Sequence, residues 1–461
     1  MSQSPPPPTR ERVLSTLHSD GSRRWIRPKP SPGPFLTRRR LVAWFLIVLF
    51  AALPYVRING RPAVLLDIVH REFTIFGTTF HATDTFLLYF FAVSVVVGIF
   101  LITALFGRVW CGWACPQTVY MEFVFRPLER LIEGSRNRQL QLDRTGADWR
   151  RLLKYPVFLV VSMFVAHVFL SYFVGIEQLA RWVRGSPTEH PIAFLVMAGV
   201  TAAMFFDFAY FREQTCLVAC PYGRFQSVLL DQDSLIVGYD QTRGEPRGKG
   251  KSDGGAPRGD CVDCQMCVVT CPTGIDIRDG LQMECIGCTQ CIDACDAVMA
   301  RIGKPPGLIR YSSRKQAAGS ARRLLRPRTV VYSAILLLGV VVALTQLSGR
   351  RSTEITVLRV HGSTFEILPS GEISNSVRVK IVNQSHETRS YTLEVADDSR
   401  IRWISATTTI TLEPAKSETL AGFIAAPREL LPTGQREVRL RVVESTGDTH
   451  DISCRMLGPT P

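Results

Sequence analysis

The chain has 461 residues, a formal net charge of +14 and 46% hydrophobic residues, a length that accommodates two to four domains. A net charge as positive as this ordinarily indicates nucleic acid or anionic lipid as a partner. Most of the basic residues, however, lie between long apolar stretches. This distribution favours a membrane protein and argues against nucleic acid binding. Twelve of the thirteen cysteines cluster in short groups, which excludes the scattered disulfide framework of a small secreted protein and indicates a reducing compartment.

Five apolar stretches are predicted to cross a membrane. The first is short, but arginines bracket it and can reach the interface, and it follows a Pro- and Arg-rich segment, 1–40. No cleavable signal peptide is predicted because the apolar run starts too late. Buried helices of a soluble protein are the alternative, and the absence of charge in the second stretch argues against it. The predicted spans are 41–56, 85–106, 155–176, 191–211 and 329–347.

The distribution of Lys and Arg predicts the orientation of these spans. Segments 1–40, 107–154 and 212–328 carry nine, nine and seventeen basic residues, whereas 57–84 and 176–190 carry three and two. The N-terminus and segment 212–328 are therefore expected in the cytoplasm and the C-terminal region in the periplasm. The expected location is a bacterial inner membrane, crossed several times.

Two cysteine pairs are predicted at the cytoplasmic ends of spans two and four. Cys111 and Cys115 lie in RVWCGWACPQ, and Cys216 and Cys220 lie in EQTCLVACPYG. On a continuous helix, cysteines four apart share one face, and the proline would then break the turn. Four such thiolates suit Cu(I) or a further iron–sulfur cluster. The alternative is that they are packing residues with redox-sensitive thiols.

A C-x2-C-x2-C-x3-C run occurs twice between Asp260 and Asp296. Each run has enough thiolates for one [4Fe–4S] cluster, and in two-cluster ferredoxins the fourth cysteine of each run binds the other run's cluster. Zinc is the main alternative, although zinc sites usually use separate C-x2-C pairs. The predicted ligands form a first cysteine set, Cys261, Cys264, Cys267 and Cys295, and a second cysteine set, Cys285, Cys288, Cys291 and Cys271.

The cysteine runs define a ferredoxin domain at 261–300, and the Gly- and Lys-rich segment 241–260 is predicted to be a flexible linker before it. From residue 352 to 461, about eight short runs alternate apolar and polar residues between turn signals. This pattern predicts a β-sandwich of immunoglobulin-like architecture, with docking as its expected role. The predicted fold class is a polytopic α-helical membrane protein of five spans, with a cytoplasmic dicluster ferredoxin insert and a C-terminal all-β immunoglobulin-like sandwich.

Isolated residues give weaker signals. His167 lies midway along the third predicted span, where either a functional partner or an interhelical hydrogen bond is expected. His70 and His81 lie in the first outer loop. They are interpreted either as contacts for copper or a quinone or as ordinary surface histidines. Cys454 is expected to be a buried thiol, and Asp207 to lie at the inner interface or in helix packing.

The motifs WCGWACPQ and CLVACPYGRFQ, the doubled cysteine run, the last span and the outer β domain together resemble the CcoG (FixG, RdxA) family of cytochrome c oxidase accessory proteins. The resemblance extends from about Arg38 to the C-terminus. It implies a role in assembly of cbb-type haem–copper oxidase, through reduction of Cu(II) to Cu(I), with oxidase subunits or copper chaperones as partners. It also implies that the eight cysteines of the two sets are cluster ligands. The membrane half resembles the polyferredoxin subunits of nitrate and nitrous oxide respiration as well.

These resemblances leave three functions open. The first is a cupric reductase that takes single electrons from a cytoplasmic donor or a membrane quinol. The second is a quinol-linked electron-transfer subunit that feeds a periplasmic reductase. The third is a copper chaperone or scaffold without enzymatic activity, whose clusters are structural.

Overall fold

The computed structural model describes most of the chain and divides it into two compact units, Met1–Ala343 and Leu344–Pro461. The described residues are 14–18, 20–58, 60–69, 72–80, 85–146, 148–248, 258–348, 353–359, 364–385, 387–414 and 416–459.

Helices dominate the membrane part of the first unit. Pro34 and Pro191 occupy the first turns of their helices, where a missing N–H costs nothing. The helices of this part are α1 Pro34–Ala52, α2 Thr85–Phe106, α3 Val109–Trp113, α4 Pro116–Tyr120, α5 Arg126–Glu133, α6 Arg136–Thr145, α7 Trp149–Val174, α8 Ile176–Arg184, α9 Pro191–Phe206, α10 Pro221–Leu229 and α15 Pro327–Ser348. Short 3₁₀ or π segments extend this part at Leu53–Tyr55, Met121–Phe125, Asp207–Phe211 and Thr215–Ala219.

Four segments among the described residues are long and apolar enough to cross a membrane, which makes the chain a membrane protein. They are Phe86–Phe106, Trp149–Val174, Pro191–Phe211 and Pro327–Leu347. The first predicted span, 41–56, is not among them. It lies in a helix that begins seven residues earlier than predicted and carries Arg38, Arg39 and Arg40 in its first two turns, so its apolar part is short.

The cysteine-rich insert lies between α10 and α15. Its short helices are α11 Gln241–Gly244, α12 Met266–Val269, α13 Gln290–Arg301 and α14 Arg314–Ala317. Strands β6 Ile236–Tyr239 and β7 Ile309–Ser312 pair antiparallel and bring the two ends of the insert together. Its core contains Ile277, Ile292 and Met299 beside the cysteines.

The segment predicted as a flexible linker is partly ordered. Asp240 caps α11 through the amide of Arg243, and the Arg243 guanidinium lies 2.6 Å from the Asp260 carboxylate. The amide of Gly248 donates to the carbonyl oxygen of Cys261. The prediction is therefore wrong for 241–248, because polar residues that read as a linker form specific bonds with the insert. Residues 249–257 lie outside the described part.

Small antiparallel sheets lie between α1 and α2. Their strands are β1 Arg57–Ile58 with β2 Arg61–Pro62, and β3 Val64–Asp67, β4 Glu72–Ile75 and β5 Thr78–Phe80. Arg57 forms an ion pair with Glu177 at the start of α8, and Leu65 of β3 contacts Gly175 at the end of α7. The segment after α1 therefore lies at the C-terminal end of α7.

A buried ionic cluster ties the N-terminal segment to the ends of the apolar helices. Glu129 of α5 accepts hydrogen bonds from Arg27, Lys154 and Arg212, at 2.7–3.2 Å, and all four residues are less than a tenth exposed. The three cations lower the pKa of Glu129 well below its ordinary value, although burial alone would raise it. Burial of so many charges is tolerated only when each is paired, so the N-terminal segment is specifically positioned.

The second unit is a sandwich of two antiparallel sheets, as predicted. One sheet has the order β12-β14-β10-β8, with β9 beside β10, and the other has the order β13-β11-β15-β16. Residues of both sheets, among them Val379, Tyr391 and Leu440, form the core. The strands are β8 Thr353–Arg359, β9 Glu366–Ile367, β10 Ile373–Asn383, β11 Arg389–Val395, β12 Arg402–Ile404, β13 Thr409–Leu412, β14 Ser417–Ala426, β15 Gln435–Glu444 and β16 Thr449–Leu457.

Candidate electron-transfer site

The two C-x3-C-P motifs have the same local structure, but it differs from the helix considered from the sequence. The first cysteine of each motif lies in a short helical turn, and the second is the extended residue before the next helix. Cys115 and Cys220 have φ, ψ of −61°, 125° and −72°, 111°, since the residue before a proline avoids the helical region. The cysteines of one motif therefore do not share one helix face, and the proline starts a helix.

The four cysteines of these motifs lie near one another. Burial raises the pKa of the Cys111 thiol to about 12, and the neighbouring charges of Cys115 and Cys220 add to this. Burial likewise raises the pKa of Cys216, with contributions from Cys115, Cys111 and Cys220. Cys111 Sγ lies 3.2 Å from Gln226 Oε1. We call these four residues the thiol group at the membrane face.

The thiols of the doubled run fall into two neighbourhoods. Burial raises the pKa of Cys295 to about 12, with further increases from Asp296, Cys264 and Cys261. Burial also raises the pKa of Cys291, with further increases from Cys288, Cys285 and Cys271. The fourth cysteine of each run is thus close to the other run, as the exchange of ligands in two-cluster ferredoxins requires.

A cavity in the insert shows what the second cysteine set is able to hold. All four cysteines of this set line the cavity, together with Cys267 of the first set and the apolar side chains of Ile275, Ile277 and Ile286. Among the described residues, no group of three or more His, Cys, Asp or Glu side chains is positioned to hold a single metal ion. Four thiolates around one cavity are the donor set that a [4Fe–4S] cluster takes.

The second cysteine set packs against the first C-x3-C-P motif. A methyl group added at Gly112 would lie 2.7 Å from the carbonyl oxygen of Gly287, so the backbones of these two glycines are in contact. Gly112 directly follows Cys111, and Gly287 directly precedes Cys288. Arg108 donates to the carbonyl oxygens of Met283 and Cys285 on one side and of Gly223 on the other. This guanidinium joins the second cysteine set to both membrane motifs.

Further contacts hold the insert to the membrane part. Arg126 donates to the carbonyl oxygen of Pro272, 3.1 Å away, beside Cys271. Asp293 accepts the amide protons of Phe35 and Leu36 at 3.2 and 2.7 Å and so caps the start of α1. Charge–dipole capping of this kind stabilises a helix N-terminus.

The first cysteine set has different surroundings. Cys264 is exposed, and the carboxylate of Asp296 lies near Cys295. Arg278 lies near Cys267, but its charge is shared with Asp276 and Asp263 through ion pairs of 2.6 and 2.5 Å. One thiol of the first set therefore faces solvent, whereas Cys261, Cys267 and Cys295 are buried.

The weaker sequence candidates, with the exception of Asp207, lie apart from this arrangement or outside the described residues. His167 Nδ1 lies 2.7 Å from the carbonyl oxygen of Met163 in the same helix, and the ring lines an apolar groove between α7 and α9. His70 and His81 lie outside the described residues. Asp207 accepts from the Thr215 hydroxyl, beside the second C-x3-C-P motif. Cys454 is buried in the β-sandwich core, which confirms that prediction.

Sequence reasoning missed the residues that dock the insert. Arg39 is 1% exposed, and its Nε donates to the Gly112 carbonyl oxygen at 2.9 Å. Arg39 and Arg108 belong to basic runs that read as positive-inside signals, and nothing in their spacing distinguishes them from exposed neighbours. Gly112 within WCGWACP is the one signal that was available, because a glycine between two cysteines indicates close backbone approach.

Comparisons with known proteins agree with this geometry. Residues 88–135 match the model of a 4Fe-4S binding domain, 211–314 match a 4Fe-4S dicluster domain, and 343–459 match the IG-like fold at the C-terminus of FixG. Protein RdxA of Cereibacter sphaeroides is 38% identical over 396 residues, which cover 82% of this chain and 83% of that protein. The chain belongs to the FixG/RdxA family.

Two further members of the FixG/RdxA family extend the match. Nitrogen fixation protein FixG of Rhizobium meliloti is 32% identical and covers 96% of this chain and 93% of its own length. Protein RdxB of Cereibacter sphaeroides is 35% identical, with coverage of 81% and 82%. With its two 4Fe-4S domains, this member of the family is a membrane-bound iron–sulfur electron-transfer protein.

Proposed function

We propose that this protein reduces Cu(II) to Cu(I) at the bacterial inner membrane and thereby serves the assembly of a cbb-type cytochrome c oxidase. The observation that carries the proposal is the contact of Gly112 with Gly287, which connects the second cysteine set to the thiol group at the membrane face. Cu(II) is the substrate, and each turnover adds one electron to one ion. The electron comes from a cytoplasmic donor or a membrane quinol.

We assign the cluster ligands as the cysteine runs predict. Cys261, Cys264, Cys267 and Cys295 hold one [4Fe–4S] cluster, and Cys285, Cys288, Cys291 and Cys271 hold the other. Such clusters, when bound, supply single-electron transfer. The mutual proximity of the thiols within each set supports this assignment.

In this proposal the thiol group at the membrane face receives copper, and its thiols draw together as the ion binds, since no three of them are already placed around a single ion. Thiolates prefer soft Cu(I) to Cu(II), so Cys111, Cys115, Cys216 and Cys220 favour the reduced product. Burial raises the pKa of Cys111 to about 12, so these thiols lose their protons as the metal binds. The alternative is a further iron–sulfur cluster at the same four thiols. Metal analysis distinguishes the two, because it measures whether copper or additional iron is bound there.

The proposed topology has five spans, with the N-terminus and the insert in the cytoplasm and the β-sandwich in the periplasm. Two contacts support a crossing by α1. Its N-terminus is capped by Asp293 of the insert, whereas the segment after its C-terminal end pairs with α8 through Arg57 and Glu177. The β-sandwich then docks oxidase subunits or a copper chaperone in the periplasm.

Copper reduction by the purified, full-length protein tests the proposal. The protein is reduced anaerobically and mixed with Cu(II), and Cu(I) is measured with a Cu(I)-specific chelator. We expect wild-type protein to form Cu(I) and the variant Cys111→Ser with Cys216→Ser to lose this activity while it keeps the iron of the two sets. Equal rates in both proteins would overturn the role of the thiol group. If the reduced protein leaves Cu(II) unchanged, and the oxidised protein accepts electrons from quinol, the alternative of a subunit feeding a reductase replaces the proposal.

A further inference from the structure

Arg39 is a buried cation with an incomplete set of hydrogen-bond partners. Its side chain is 1% exposed and its Nε donates to Gly112. Both Nη atoms are buried and have no hydrogen-bond partner among the described residues. An unpaired buried guanidinium is expensive, so these N–H groups are expected to face an acceptor that is not part of the polypeptide.

The surroundings of Arg39 indicate where that acceptor lies. Gly112, which accepts the Arg39 Nε hydrogen bond, packs against the backbone of Gly287, the residue before Cys288: a methyl group added at Gly112 would lie 2.7 Å from the Gly287 carbonyl oxygen. The Tyr311 hydroxyl donates to the same carbonyl oxygen at 3.3 Å. Asp293 is a neighbouring carboxylate, but it accepts the amides of Phe35 and Leu36 and forms no ion pair with Arg39.

Cluster sulfurs are acceptors of the required kind. Hydrogen bonds to the sulfurs and nearby charge are two of the factors that set the potential of an iron–sulfur cluster. Reduction adds negative charge, so a cation at the second cysteine set stabilises the reduced state there. At the first set the carboxylate of Asp296 has the opposite effect, and the charge of Arg278 is balanced by its ion pairs with Asp276 and Asp263.

We propose that Arg39 donates its two Nη groups to the sulfur atoms held by the second cysteine set, and so raises the reduction potential there above that at the first set. The inference rests on the proposed electron-transfer function and deepens it, because it fixes the direction of flow. Electrons enter at the first set, beside exposed Cys264, and collect at the second set, beside the thiol group at the membrane face.

The test is an anaerobic redox titration of the full-length protein, followed by electron paramagnetic resonance. The variants are Arg39→Gln, Arg39→Lys and the matched control Arg38→Gln, which removes the same charge from an exposed position one residue away. Cys288→Ser assigns the titration waves, because it removes the wave of the second set. Iron and sulfide are quantified in each protein.

We expect Arg39→Gln to lower the midpoint potential of the second set by at least about 59 mV. For one electron, this shift equals a tenfold change in the ratio of reduced to oxidised protein at a fixed potential. The first set and the Arg38→Gln control are expected to titrate as in wild type. Arg39→Lys keeps the charge but loses the planar fork, so a smaller shift is expected. Loss of iron from the second set alone in Arg39→Gln, with retention in Arg39→Lys, also supports the proposal.

Unchanged midpoints in both Arg39 variants would overturn the proposal, as would equal shifts in Arg38→Gln. Loss of both sets in both variants assigns Arg39 a structural role only and likewise overturns it. These outcomes are independent of copper reduction. A shifted midpoint in a protein that leaves Cu(II) unchanged keeps this inference and rejects the copper substrate.

Discussion

The two cysteine sets have identical spacing in the sequence and opposite surroundings in the structure. Arg39 and Arg108 lie beside the second set, whose loop contacts the membrane motif through Gly287. Near the first set lie the carboxylate of Asp296 and the ion-paired guanidinium of Arg278, and Cys264 is exposed whereas the other three thiols are buried. The difference teaches that the repeated motif fixes which metal group is held, whereas the residues packed against each copy decide its potential and its partner.

Removal of one ligand from each set gives the largest effect. Cys261→Ser and Cys288→Ser are each expected to lose about half of the iron, since each cluster contains four of the eight iron atoms. Both variants are expected to lose Cu(II) reduction, because the relay needs both sets. Iron analysis and the chelator assay measure this, with Cys454→Ala in the β-sandwich core as the control that keeps its iron. A Cys261→Ser protein that reduces Cu(II) at the normal rate would show that the first set is not in the relay.

Glu129→Gln tests the buried ionic cluster that Glu129 forms with Arg27, Lys154 and Arg212. Removal of one partner from a buried ion network costs about 3–5 kcal/mol, so the thermal unfolding temperature in detergent is expected to fall strongly. Glu189→Gln, an exposed carboxylate in the loop before α9, is the control and should have little effect. An unfolding temperature within error of wild type would mean that the cluster does not stabilise the fold.

The pH dependence of unfolding examines the same residue. The pKa of Glu129 is lowered well below its ordinary value of 4.5 by Arg212, Arg27 and Lys154, against the effect of burial. A carboxylate with a lowered folded-state pKa contributes stability above the ordinary pKa, and this contribution disappears as the pH falls through the folded value. We expect the unfolding temperature of wild type to decrease below about pH 4.5, and that of Glu129→Gln to decrease less. Parallel curves would contradict the assignment.

Gly112→Ala separates the second set from the thiol group at the membrane face. The added methyl group would meet backbone atoms of Gly287 and Ile286 within 2.8 Å, and overpacking of this kind costs about 1–3 kcal/mol. We expect the variant to retain the iron of both sets and to reduce Cu(II) more slowly. Gly199→Ala is the matched control, since a methyl group there meets nothing within 4 Å. Equal rates for the two variants would break the proposed route.

Asp296→Asn is expected to have the smallest effect, and it changes the surroundings of the first cysteine set. The amide keeps the acceptor that binds the Gly307 N–H at 2.8 Å but removes the negative charge beside Cys295. The midpoint of the first set is expected to rise, and by less than the shift in Arg39→Gln, because Asp296 is half-exposed and solvent screens its charge. A redox titration in which only the second set moves would contradict the charge comparison.

The sequence is enough to predict the classes of structure and the metal chemistry. Strict spacing identifies the eight cysteines, because cluster geometry leaves little freedom, and alternation of apolar and polar residues predicts the β-sandwich. The docking of the insert is not predictable in this way. It depends on Arg39 and Asp293, which are far apart in sequence and resemble ordinary surface residues. The order in 241–248 was missed for the same reason, since Arg243 finds its partner Asp260 only in the folded insert.

The account depends most on the transfer of electrons from the two cysteine sets to copper. The direct measurement is electron paramagnetic resonance of the purified protein, reduced stepwise under anaerobic conditions and then mixed with Cu(II) in known amounts. The account predicts two reducible clusters, whose signals disappear together with the Cu(II) signal, one electron for each copper ion. Persistence of both the reduced-cluster signals and the Cu(II) signal would contradict it.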